Sequence, residues 1–129
     1  MTLLGLALGE ALPAGKRLLD RMAVLGAREA AIGLFHRVRM KAVAEGGARL
    51  VVEISPPAMR IVVGESFVGS EELVFDEGVE LALSRNRPAV EFTFDAMGLG
   101  RVASQTLRFS RGSAQAELVV SSFGRVTRK

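Results

Sequence analysis

One helical period constrains this chain more than any other feature. From about Leu18 to Glu45, apolar residues recur at helical spacing: Val24, Ala27, Ala31, Leu34, Phe35, Val38 and Ala42 share one broad arc at 100° per residue. Ile32 and Val43 flank the arc, whereas Glu29, His36 and Arg37 fall on the far side. Gly46-Gly47 then supplies the backbone freedom at which a helix stops. The spacing predicts one long amphipathic helix over 18–45 with Leu34, Phe35 and Val38 as packing residues. Everything after it is broken into short extended runs. A helix with one apolar face followed by sheet-forming sequence calls for an α+β domain in which the helix covers the sheet.

The runs follow in order. Ala48–Ile54 is rich in β-branched residues, Ser55-Pro56-Pro57 stops it, and Met59–Val63 resumes in extended form as a hairpin-like pair. Gly64 to Gly69 reads as a turn region. Leu73–Phe75 and Val79–Leu83 flank a tight turn at Asp76-Glu77-Gly78, and the polar loop Arg85-Asn86-Arg87-Pro88 precedes Val90–Phe94. In that last run Val90, Phe92 and Phe94 alternate with Glu91 and Thr93, as a strand with one buried face requires. Thr106–Ser110 and Ala116–Ser121 complete a count of seven or eight antiparallel strands. Two segments echo each other, Phe94 to Val102 and Val120 to Val126, each reaching a turn that ends in Gly-Arg-Val. The expected core is Leu34, Phe35, Val38, Val51, Val90, Phe92, Phe94, Leu107, Phe109, Leu118 and Val120.

The 129 residues divide into a short apolar segment 1–15 and one domain of 16–129, with helix 18–45 and β region 48–128. Met1 to Leu12 is apolar apart from Thr2 and Glu10, but a membrane-crossing helix needs roughly 20 residues. Its start lacks the positive charge of a secretory signal, and Pro13 and Gly15 are expected to break or kink any helix there. Lys16, Arg17 and Arg21 follow at once. With seven Phe and neither Trp nor Tyr, the core rests on aliphatic side chains.

Chemistry is sparse. The absence of cysteine excludes disulfides and thiolate metal sites, and a single histidine, His36, sits on the polar side of the helix with no recognisable nucleophile or orienting partner. Gly98-x-Gly100 is not followed by a helix to present a phosphate-binding N-terminus. The acidic run Glu71-Glu72 and Asp76-Glu77 lacks the order of a calcium loop and reads as a solvated hairpin edge. No catalytic, cofactor-binding or metal site is expected, and the chain reads as a non-enzyme. Charge is uneven: residues 1–45 carry seven Lys/Arg against four Asp/Glu (+3), 46–100 four against nine (−5), and 101–129 six against one (+5). The basic tail, Gly124-Arg125-Val126-Thr127-Arg128-Lys129, is the densest cationic feature.

Three ordered segments resemble the GspH/FimT family of minor pseudopilins from type II secretion and type IV pilus systems. Val38 to Gly46 followed by Leu50-Val51-Val52 is similar to the family's A-R-x-x-A-I-x-x-G helix end and first strand. Val90 to Gly98 resembles its I-x-F-x-x-x-G strand and turn, and Leu118 to Val126 its closing L-V-V-S-x-x-G-R-V. Together they cover roughly residues 24–127. Met1-Thr2-Leu3-Leu4 looks like the F-T-L-I start of a processed prepilin, and Ala11-Leu12-Pro13 like the A-L-P after the membrane segment. Gly5 stands where the family has glutamate, and the apolar span is about ten residues short. A chain with this start is expected to be soluble or only loosely attached to a membrane.

The resemblance implies a long helix packed on two antiparallel sheets in a pseudopilin-like β-sandwich. It also implies a low-abundance structural subunit near a pseudopilus tip, set in the bacterial inner membrane and facing the periplasm. Its expected partners are other pseudopilins or minor pilins and secreted cargo, with no cofactor. Some FimT-like members contact DNA through a C-terminal G-R-x-R. Here Gly124-Arg125-Val126 fits, but the second arginine is Arg128, one place late, which moves it to the other face of a strand. Lys129 restores alternation with Arg125. The alternative role implied is thus a DNA-uptake pilin that binds electrostatically through Arg125, Arg128 and Lys129.

Overall fold

The computed structural model describes the backbone of residues 2–64, 71–75, 78–101 and 104–129, with side chains from residue 13 onward. Most of the expected turn at Gly64 to Gly69, the Asp76-Glu77 pair and Val102 lie outside the described residues. Helix α1 runs from Thr2 to Glu45, much earlier than the expected start at Leu18, and passes through Pro13 and Gly15 without ending. Proline removes only one main-chain bond of the ladder, and the remaining bonds carry the helix past it. At its other end Gly46 adopts φ +84°, and the chain leaves in the direction of the first strand.

Eight strands follow: β1 (Gly47–Ile54), β2 (Pro57–Val62), β3 (Glu72–Val74), β4 (Glu80–Leu83), β5 (Ala89–Asp95), β6 (Gln105–Arg111), β7 (Ala114–Val120) and β8 (Val126–Arg128). They form two four-stranded antiparallel sheets, ordered β3-β2-β1-β5 and β4-β6-β7-β8. β3 and β4, expected on either side of one tight turn, therefore belong to different sheets. β6, β7 and β8 make the simple meander that their spacing suggests. α1 lies across both sheets, touching β1 and β5 of the first and β6 and β7 of the second. The architecture is one long helix on two antiparallel sheets.

Between helix and sheets the core is largely aliphatic, with four buried phenylalanines. Leu34, Phe35 and Val38 are buried and make the helix side of it, and Phe35 meets Phe92 edge-on at 5.1 Å between ring centres. Phe92, Phe94, Leu107, Phe109, Leu118 and Val120 are buried as expected, while Glu91 and Thr93 face solvent. Val90 is half-buried and packs against the same cluster. Val51 is the exception: its neighbours Leu50 and Val52 point inward and Val51 lies on the opposite face. Register decides this, because Leu50 stands across from Phe92 and Val51 across from Glu91.

Candidate functional site

The basic tail forms β8, the edge strand of the second sheet, and its residues divide between the two faces. Arg128 stands opposite Leu118, so its side chain turns toward the helix. There its guanidinium grips the Glu29 carboxylate with two bonds, Nε to Oε1 and Nη2 to Oε2, both 2.7 Å. These bonds hold Glu29 below the ordinary carboxylate value and push Arg128 above the usual arginine value. Lys129 lies on the other face, 4.0 Å from the Glu117 carboxylate that also accepts from Arg108 Nε at 3.0 Å. Arg125 is exposed in the turn before β8, with its backbone N–H donating to Ser121 Oγ at 3.1 Å. The three cations expected to act together are thus separated. One is committed to the helix, one shares an intramolecular acid, and one remains solvent-facing.

The two Gly-Arg-Val echoes meet in space. Gly100 N–H donates to the Phe123 carbonyl at 2.9 Å, and a Cβ built on Gly100 would stand 2.8 Å from the Gly124 backbone. A Cβ on Gly124, whose φ is +82°, would stand equally close to the Phe94 ring. Both glycines are therefore required by a backbone-on-backbone approach that leaves no room for side chains. Within the first echo, Asp95 organises the turn after β5: its Oδ1 accepts from Met97 N at 2.9 Å and Leu99 N at 3.0 Å. The Leu99 amide is the chief reason that the Asp95 carboxyl sits below the usual aspartate range, with Met97 and Arg101 adding to it.

That turn projects Met97 and Leu99 beside Met40 and Val43 of α1, and all four are largely exposed, Met97 to 79%. With Arg39 they line a hollow of about 570 Å³. Arg39 places its guanidinium 6.0 Å from the centre of the Phe94 ring, and its Nε is buried without an acceptor among the described residues. Nothing in the sequence pattern marked this patch, because Met97 and Leu99 belong to a turn and Met40 lies outside the helical apolar arc. A second exposed apolar strip occupies α1 nearer its start, at Leu18, Leu19 and Met22. Lower on the helix, Asp20 is buried, its Oδ1 3.2 Å from Arg111 Nε. His36 is exposed, and among the described residues no three acidic or imidazole groups gather as a metal site. A polar hollow of about 400 Å³ beside Ser84, Arg85 and Asn86 contains Glu117 and Lys129, already paired with each other.

Among the described residues no helix is long and apolar enough to cross a membrane. No family model matches the sequence, and no curated protein matches it. Solved structures match the fold. The type IV minor pilin FimU of Pseudomonas aeruginosa PAO1 superposes with a TM-score of 0.60 at 17% identity, covering 79% of this chain and 87% of FimU. A second crystal form of FimU gives 0.57 at 16% identity. EpsH, the minor pseudopilin of the Vibrio cholerae type 2 secretion system, gives 0.63 at 11% identity, covering 83% of this chain and 96% of EpsH. The long helix laid across two four-stranded antiparallel sheets is the fold of these minor pilins and pseudopilins.

Proposed function

We propose that this chain is a non-enzymatic minor subunit of a type IV pilus or type II secretion pseudopilus, assembling with other pilin-like subunits near the filament tip. The observation that carries this reading is the match of the whole helix-on-two-sheets arrangement, over about four fifths of the chain, to one minor pilin and one minor pseudopilin. The exposed apolar strip Leu18, Leu19 and Met22 of α1 supports it, since a helix with such a strip needs a neighbour. In this reading the domain holds its place by packing, and its exposed turns meet partner subunits or cargo.

Deleting the gene in its host and scoring surface pili and secreted protein tests the role. Loss of either, restored by the wild-type chain and not by a Leu18→Lys/Met22→Lys variant, is the expected result. Unchanged pili and secretion in the deletion strain would overturn it. The DNA-uptake alternative loses support from the tail geometry, because Arg128 is held by Glu29. It predicts a salt-sensitive shift of duplex DNA that Arg125→Ala weakens.

A further inference from the structure

The apolar hollow at the end of α1 and the far edge of the first sheet carry complementary chemistry. Arg39 is the cation on the wall of the hollow, among Met40, Val43, Met97 and Leu99, and it makes no ion pair among the described residues. On β3, the opposite edge of the same sheet, Glu72 and Val74 alternate outward while Leu73 packs inward. Val74 is 67% exposed, and Glu72 makes no ion pair among the described residues. One surface offers an apolar recess with an unpaired cation. The other offers an apolar side chain with an unpaired carboxylate two residues away, on the same face of a strand.

These surfaces lie at opposite edges of a four-stranded sheet, so they cannot meet within one molecule. We propose that a second copy of this chain docks here, seating Val74 of its β3 edge among Met40, Val43, Met97 and Leu99 with its Glu72 against Arg39. The inference rests on the assembly role proposed above for its biological setting, but the contact is a property of the purified protein. Because the two patches differ, the contact is heterologous: each bound pair leaves one hollow and one β3 edge free, which propagates an open row instead of closing a dimer. The carboxylate fixes orientation and the apolar side chain supplies the attraction.

The test is sedimentation equilibrium of the purified full chain up to about 1 mM, the range in which a small contact shows itself. Wild type is expected to associate without a fixed stoichiometry. Met97→Glu and Val74→Lys, both at exposed positions, should each weaken association at least about tenfold, because each places a charge in an apolar contact. The double variant should regain most of it, since the two new charges face each other across the contact. Unchanged far-ultraviolet circular dichroism confirms that the variants fold. A wild-type chain that stays monomeric overturns the proposal. So do single variants that associate like wild type, which is the result expected if the α1 strip alone drives association, and a double variant no better than either single. Pili or secretion lost on gene deletion while the purified chain stays monomeric would keep the assembly role and remove this contact.

Discussion

At the scale of single residues, the Glu29–Arg128 pair ties the last strand to the helix, and its linkage to pH has a definite sign. Glu29 has a folded-state pKa below its ordinary value of 4.5, so its contribution is fully present above that value and is lost as pH falls through the lower, folded one. Glu29→Gln is therefore expected to lower the urea midpoint at pH 7 and to match wild type at a low pH where the Glu29 carboxyl is protonated in both the folded and the unfolded chain. A difference that persists undiminished at that pH would show that the pair acts by shape instead of charge. Gly124 tests a different physics. Its alanine variant must place a Cβ 2.8 Å from the Phe94 ring at a backbone angle that disfavours side chains, so a loss of about 1–3 kcal/mol is expected in chemical denaturation. Both residues stood in the sequence, but only one carried a local signal. A glycine ending an extended run marks a turn wherever it occurs, whereas nothing at residue 29 indicates that residue 128 folds back onto it.

At the scale of elements, β5 was legible because Phe92 and Phe94 alternate with Glu91 and Thr93, and its register held. Truncating Phe92 to Ala should cost about 3–5 kcal/mol, since the ring is fully buried against Phe35. β1 was less legible: Leu50-Val51-Val52 is apolar throughout, so periodicity does not say which face is inside, and pairing with β5 decides it. The start of α1 misled for a related reason. Proline discourages a helix locally, yet a helix committed on both sides continues through it. The helix is also fixed low on its length by Asp20 and Arg111, a pair no local pattern announces. Arg111→Met should destabilise more than Asp20→Asn, by about 1–3 kcal/mol, because it strands a carboxylate whose side chain is only 7% exposed, whereas Arg111 itself reaches solvent. Equal midpoints for the two variants in urea would show that the pair is not the source of stability there.

For the whole molecule, the fold class was legible because one helical period followed by short alternating runs admits few arrangements. The division of β3 and β4 between sheets was not, since strand pairing is settled by distant partners. The candidate docking surface was equally hidden, being assembled from a helix end and a turn brought together by tertiary structure. The ion pair between residues 29 and 128 has a consequence in time as well as in space. α1 leaves the ribosome before the strands that cover it, and half of that cover, β6 to β8, follows only after the first sheet. During synthesis its apolar arc waits exposed for strands that do not yet exist, and closing so long a loop is slow. A chain halted near residue 113 would keep α1 and the first sheet but lack β7 and β8, leaving the part of α1 that β7 covers in water. Such a fragment is expected to bind chaperones or aggregate, and resistance to proteolysis should arrive only when the final strand locks onto the helix.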